Sequence, residues 1–503
     1  MNCTLTATLA PVFGNHMVLQ YGAPVPIFGT GDPHATVHVK LGEEKQTTQV
    51  GTDGRWIVWF AAHPAFAQTT LDFQCGSIHI LVEDILFGDV WIAAGQSNME
   101  LEWQQSAEYA ETCHTPGISS IRMYLCSHTL TDHQAPLAPQ KGWIVDGDEA
   151  QRFFSAAGTY FARALFPHIH VPIGIVCCYW GGTSASTWLD ETLLQQKGLN
   201  CYLSDYESSV RNLDLEKYEE QFQRWWEFNR RPDVQQAWEK LAQSSGTEKA
   251  HLQQLLSQEP VLEFGPHDKN RPGQLYHRMV EPLAPFRCKG VLWYQGESDE
   301  HHPDTYAQLL TSLIQCWRSL WNAPLPFLLV QLAPFGSWMG ECGIRYPLMR
   351  QQQQLVSQTL SDVYLTSIMD CGSKDDIHPP RKRPVGERLA LLARGCIYGE
   401  NIVAQPPCFE KCSVKENCVS LYFSHTADGL SGTGIPRSLF ITQDGRYLPP
   451  ERAEIGQDTV RIFFSAPVEG TIHISFAWCD YTYVDLYNSV GLPALPFEIK
   501  VKI

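Results

Sequence analysis

The stretch AAGQSNMEL, residues 93–101, ends an apolar run and presents one serine, Ser97, on a turn of small residues, with Asn98 directly after it. A serine so placed can attack a carbonyl if a base and oxyanion donors are supplied. Three other stretches offer those groups. YWGGTSASTW, residues 179–188, carries Gly181 and Gly182, whose backbone N–H groups can face an oxyanion. QGESDEHH, residues 295–302, offers the side-chain amide of Gln295 and the carboxylate of Glu297. DCGSKDDIHPP, residues 370–380, offers His378 as a base, with Asp376 two residues before it and Asp375 three before. Nucleophile, oxyanion donors, base and orienting acid are the parts of acyl transfer. Each part also has a plain structural explanation. Ser97 could cap a helix, with Glu100 three residues on as in a capping box. Gly181-Gly182 could be a turn, Glu297 a structural carboxylate and His378 a satisfied loop histidine. The case for chemistry is that all four stretches follow candidate strands.

Those strands must position the groups. Residues 90–93, 173–177, 290–294, 327–331 and 363–367 are short, apolar and non-alternating, as strands buried on both faces should be. Helical patterns lie between them. In DTYAQLLTSLIQCWRSLW, residues 304–321, Tyr306, Leu309, Leu310, Leu313, Trp317 and Leu320 share one stripe, and Asp304 stands as a candidate N-cap. This alternation predicts an α/β fold with a parallel sheet covered by helices, and sites at the carboxyl ends of its strands.

Three regions follow. Residues 1–84 read as a β domain with sandwich-like patterning: Val37, Val39 and Leu41 alternate, and Asp53-Gly54 supplies a turn. Residues 85–400 form the α/β core. Residues 401–503 return to β, with strand patterns in DTVRIFFSAP and GTIHISFAW. Within the core, about 205–260 is polar and helical. Tyr218, Phe222 and Trp225 fall at helical spacing, Pro232 breaks the pattern, and Val234, Trp238 and Leu241 begin another. It reads as an inserted helical hairpin, a buttress or a lid.

Composition bounds the rest. Hydrophobic residues at 44% and charged residues at 18% describe a folded chain, and 503 residues predict two or three domains. The net charge of −17 argues against a nucleic-acid backbone binder, and an anionic substrate would need a locally basic pocket. The first basic residue is Lys40, and no apolar run reaches the ~18 residues of a membrane span, so no membrane partner and a cytoplasmic location are expected. The 16 cysteines are scattered. Cys177 and Cys178 would point to opposite faces of a strand, and Cys408, Cys412 and Cys418 lack zinc spacing. No P-loop, dinucleotide fingerprint or H-E-x-x-H motif is present, and no metal or organic cofactor is expected.

Taken together, GQSNME, YWGGTSASTW, GVLWYQGESD and DIHP resemble the sialate O-acetylesterase family of carbohydrate esterases, within the SGNH-hydrolase superfamily. The resemblance extends to PVFGNHMVLQYGAPVPIFG near the N-terminus and LYNSVGLPALPF near the C-terminus. It implies a three-layer αβα core flanked by two β regions. It also implies Ser97 as nucleophile and His378 as base, with an oxyanion hole from the Ser97 N–H, an N–H of Gly181 or Gly182, and the Gln295 side chain. The third triad member stays open: the superfamily spacing points to Asp375, the DIHP motif to Asp376, and a Ser–His dyad needs neither. Asn98, Trp180, Glu297 and Arg350 are the candidate substrate contacts. The implied reaction is removal of O-acetyl groups from a sugar, with 9-O-acetyl sialic acid first and acetylated xylan or mannan oligosaccharides as the alternative. A carbohydrate-binding protein with a dead hydrolase core is the reading from another class; intact Ser97, Gln295 and His378 argue against it.

Overall fold

The apolar run that ends at the serine turn is the last part of one long strand, Ile78–Gly95. Its first residues alternate between partly buried and exposed, with Val82 buried; from Ile85 onward every residue is buried. The structure, a computed structural model, describes residues 5–131, 142–241, 244–338 and 340–503. It divides into two units, residues 1–291 with 312–325, and residues 292–311 with 326–503.

In the first unit, Ala7–Leu9, Val25–Gly31 and Arg55–Phe60 form one antiparallel sheet. Alternation does what the sequence predicts there: Trp56, Val58 and Phe60 face inward, as do Val37, Val39 and Leu41 of Thr36–Leu41. Thr36–Leu41 pairs with Gln68–Cys75, which pairs with Ile78–Gly95. That last pairing carries a bulge. Leu71 faces Val82 and Thr69 faces Ile85, so Glu83 and Asp84 together oppose Thr70. Asp84 adopts φ 55°, and its carboxylate accepts from Arg122 at 2.8 Å and lies 2.7 Å from His16 Nδ1. The boundary read after residue 84 falls at this bulge, inside a single strand.

Beyond the bulge the same strand becomes part of the core. Ile173–Tyr179 lies parallel between it and Ile121–Leu125. Trp143–Val145 adds an antiparallel strand at the outer side of Ile121–Leu125. The architecture is therefore mixed α/β with a mixed sheet, where the sequence predicted a wholly parallel one. Ser155 caps the helix Ala156–Ile169, its hydroxyl accepting from the Gly158 N–H.

The polar insertion is more elaborate than a hairpin. Among the described residues it contains four helices: Asn200–Val210, Leu215–Asn229, Pro232–Leu241 and Gly246–Leu256. Asp214 caps the second through the N–H groups of Glu216 and Lys217. Phe228, Val234, Ala237 and Leu256 form a small core between these helices. Tyr218 and Phe222, set at helical spacing, are buried, but Trp226 takes the inward place and Trp225 stays partly exposed.

In the second unit, Phe327–Val330 and Val363–Thr366 are parallel, and helices Tyr346–Thr359 and Arg383–Leu392 follow the α/β pattern. The helix Tyr306–Trp321 begins in this unit, where Tyr306, Leu309 and Leu310 of its stripe are buried, while Asp304 belongs to the preceding 3₁₀ turn Pro303–Thr305; Leu313 and Trp317, in the stretch assigned to the first unit, are buried as well. The C-terminal region holds two antiparallel four-stranded sheets, and alternate residues from both, among them Leu421, Ile462, Ile472 and Phe476, meet in one core. The fifteen cysteines of the described residues are free thiols.

Candidate active site

Register explains why the serine and glycine stretches meet. Ile173–Tyr179 pairs in parallel with the long strand so that Tyr179 lies level with Gly95. The two loops therefore leave the sheet side by side, and the Trp180 N–H donates to the Gly95 carbonyl at 3.2 Å. Ser97 is the first residue of a one-turn helix, Ser97–Glu100, whose N-cap is Gln96. The capping explanation for Ser97 is thereby overturned. Gln96 and Asn98 are each 2% exposed, whereas Ser97 between them is partly exposed. The helix is held from behind by Ser155, whose hydroxyl donates to the Met99 carbonyl at 2.6 Å.

Gly181 sits hard against this turn. A Cβ there would lie 3.3 Å from Ser97 Cβ and 2.8 Å from a Glu100 carboxylate oxygen, so a larger residue would displace the Glu100 carboxylate and press on the serine. Gly182 follows with φ +67°, a conformation that favours glycine. The peptide is gripped from both sides. The Gly181 N–H faces the Glu100 carboxylate. Lys269 Nζ donates to the Gly181 carbonyl at 2.6 Å, and Asn270 Nδ2 donates to the Gly182 carbonyl at 2.8 Å. Burial raises the Glu100 carboxyl to about 6, against the opposing pull of Lys269 and the Gly181 N–H. Trp180 is buried and stacks on His128 at 4.0 Å. His128 Nε2 lies 3.0 Å from the Tyr179 carbonyl and must carry the proton there; burial lowers its pKa to about 4, so the ring is neutral.

The second unit holds the other candidates. Gln295 is fully buried and its amide orientation is fixed: Nε2 donates to Asp299 at 2.5 Å, and Oε1 accepts from the Tyr306 hydroxyl at 2.9 Å. Its backbone carbonyl accepts from Gln353 Nε2 at 3.1 Å. Glu297, two residues on, is 7% exposed. His378 is partly exposed, with Trp338 edge-on to its ring at 5.5 Å. Burial and the Lys382 cation lower its pKa, while Asp376 opposes them. The imidazole is consequently neutral near pH 7, the state a general base needs. Asp376 accepts the backbone N–H of His378 at 2.8 Å, but its carboxylate stands 3.8 Å from ring Nδ1, beyond hydrogen-bond reach. Asp375 lies near Tyr481.

Arg350 departs from the substrate contact expected of it. It is fully buried, and four of its N–H groups donate to the carbonyls of Leu332, Ala333, Cys479 and Asp480 at 2.8–3.0 Å. Its task is to tie two backbone segments together. Sequence reasoning missed Lys269, Asn270 and His128, and credited Glu100 only as a cap. The position of Glu100 inside GQSNME is the one signal that pointed to it.

Comparison with known proteins fits this arrangement. The profile of the family described as carbohydrate esterase, sialic acid-specific acetylesterase matches residues 87–224 and 264–393. Sialate O-acetylesterase of Rattus norvegicus is 26% identical, over 98% of this chain and 94% of its own length. The Homo sapiens protein of that name is 26% identical over 97% and 91%. Among solved structures, a carbohydrate acetylesterase from Xanthomonas citri superimposes with a TM-score of 0.75 at 27% identity, covering 98% of this chain and 99% of that one.

Proposed function

The chain belongs to the sialic acid-specific acetylesterase family of carbohydrate esterases, and from that premise we propose that it is a serine esterase that removes O-acetyl groups from carbohydrates through an acetyl-Ser97 intermediate. In this reading His378 takes the Ser97 hydroxyl proton as the oxygen attacks the acetyl carbonyl. The oxyanion is met by the Ser97 N–H, an N–H of the Gly181–Gly182 pair and the Gln295 amide. The tetrahedral intermediate collapses, His378 returns the proton to the sugar oxygen, and the sugar alcohol leaves. Water, deprotonated by His378, then releases acetate from Ser97. Asp376, bonded to the backbone rather than the ring, supports the base by charge and by holding its loop, so the reading is closer to a dyad than to a full triad. Asn98, Trp180 and Glu297 remain its candidate substrate contacts. We read the core, 85–400, as the SGNH three-layer type, with sandwich-like β regions at 1–84 and 401–503.

The observation that carries this reading is the level register of Gly95 and Tyr179, which brings the part-exposed Ser97 against the glycine loop. The names of the relatives make O-acetylated sialic acid the first substrate to test; we take its 9-O-acetyl form, with acetylated xylo- and manno-oligosaccharides second. The experiment is acetate release from each by wild type and Ser97→Ala. Release that disappears in the variant supports the nucleophile and ranks the sugars. Equal release by both proteins removes Ser97 from the mechanism. No release from any acetylated sugar favours the carbohydrate-binding reading.

A further inference from the structure

A cavity of about 850 Å³ opens beside the Ser97 turn. Its inner wall is Glu100, Gly181 and Trp180, the immediate neighbours of the serine. Its outer wall comes from the insertion, through Trp225 and Trp238 on its helices and Glu259 after the last of them. An acetyl group needs a small fraction of this space; the volume suits a ligand the size of one or more sugar rings, within the ~300–1,000 Å³ of ordinary small-molecule sites.

The lining specifies what kind of ring. Trp238 is 52% exposed, an indole face left open at the cleft. Such a face packs against the C–H side of a pyranose while the hydroxyls stay free for polar partners. Glu259 supplies a fixed acceptor, its carboxylate held by Trp225 Nε1 at 2.7 Å and Asn229 Nδ2 at 2.9 Å. The charge balance disfavours an anion. Glu100, Glu259 and Asp268 line the cleft against one lysine, Lys269, already bonded to the Gly181 carbonyl. His128 is held neutral, and His267 pairs with Glu219 at 2.8 Å. The family profile matches up to residue 224 and resumes at 264, on either side of this outer wall.

We propose that this cleft is a subsite for a neutral pyranose joined to the acetylated sugar, which makes an acetylated oligosaccharide a better substrate than the free acetylated monosaccharide. The inference rests on Ser97 as nucleophile. The four-helix insertion is then a specificity element, and its buttressing core at Phe228, Val234, Ala237 and Leu256 is what presents the cleft wall.

The test compares kcat/KM for matched pairs: free 9-O-acetylated sialic acid against the same residue in sialyllactose, and acetylated xylose against acetylated xylotriose. p-Nitrophenyl acetate serves as a substrate with no sugar. Wild type should prefer the longer member of whichever pair it turns over by about 10-fold or more. Trp238→Ala, at an exposed position, should remove that preference mainly through KM, leaving the monosaccharide and p-nitrophenyl acetate rates within about twofold. Glu259→Gln should reproduce the loss in part. Equal rates on both members of the pair, or a Trp238→Ala loss shared by p-nitrophenyl acetate, overturns the subsite while leaving the Ser97 reading intact. Ser97→Ala that still cleaves p-nitrophenyl acetate at the wild-type rate overturns the reading beneath it.

Discussion

Glu100 offers a quantitative check on the site, because its carboxyl is held at about 6 in the fold against an ordinary 4.5. For an acid with a raised folded pKa, the folded state binds the extra proton, so stability falls as pH rises from about 4.5 to about 6 and stays reduced above that. The gap corresponds to about 2 kcal/mol at 1.36 kcal/mol per pH unit. Glu100 is 32% exposed, and solvent screening brings the expected effect to about 1 kcal/mol. Glu100→Gln keeps the size and an acceptor for the Gly181 N–H but cannot ionise. At pH 8 the variant should therefore gain about 1 kcal/mol over wild type relative to the same comparison at pH 4, a difference of about 1–2 °C in the first thermal transition of a unit this large. The assay is the difference in Tm between variant and wild type at both pH values in matched ionic strength. A difference that is the same at pH 4 and pH 8 would refute the burial argument. A variant less stable at pH 8 than at pH 4, relative to wild type, would show that the Lys269 attraction outweighs desolvation.

Gln295→Ala removes a proposed oxyanion donor and should lower kcat by about 10²–10³ with little change in KM; Tyr306→Phe, which removes the hydroxyl donated to the amide and backbone oxygens of Gln295 but keeps the amide N–H groups, should cost about 10-fold in kcat, and equal losses in the two would assign Gln295 a purely bracing part. The acid limb of kcat/KM should lie below the ordinary histidine pKa, with activity present above it and lost as pH falls through it, since His378 is held low. Asp376→Asn should move that limb lower still, because Asp376 is the group that raises His378. Its kcat should fall about 10-fold, far short of the ~10⁴ seen where an aspartate bonds the ring directly; a 10⁴-fold fall would show that the 3.8 Å gap closes in the working enzyme. Arg350→Lys leaves buried carbonyls without donors and should destabilise by about 3 kcal/mol or more, read as a fall in Tm, with kcat unchanged in the folded fraction.

The core strands were legible because strands buried on both faces read as uninterrupted apolar runs, and the loops after them could be found by looking where those runs stop. Ile121–Leu125 escaped notice because Arg122 interrupts it; that charge is buried against Asp84, a partner 38 residues away that no local pattern reveals. Periodicity placed helices in the insertion but could not count them, since Pro232 opens a helix as well as ending one. It also set Trp225 at helical spacing with Tyr218 and Phe222, while Trp226 beside it is the buried tryptophan. The four chemical stretches were legible as motifs. The grip of Lys269 and Asn270 on the glycine loop was not, because it joins side chains 88 residues from the carbonyls they hold.

The strand Ile78–Gly95 bears on how the chain can be cut. Its first half pairs with Gln68–Cys75, and its last residue is level with Tyr179, from which the glycine loop departs. A fragment starting near residue 85 would lose Val18–Gln20 and Gln68–Cys75, the partners along that stretch, and expose a raw edge of apolar backbone. Such an edge invites pairing between copies, so trimming the first eighty residues should yield an aggregating fragment and not a smaller esterase. The N-terminal sheet is in this sense the anchorage from which the serine turn is hung.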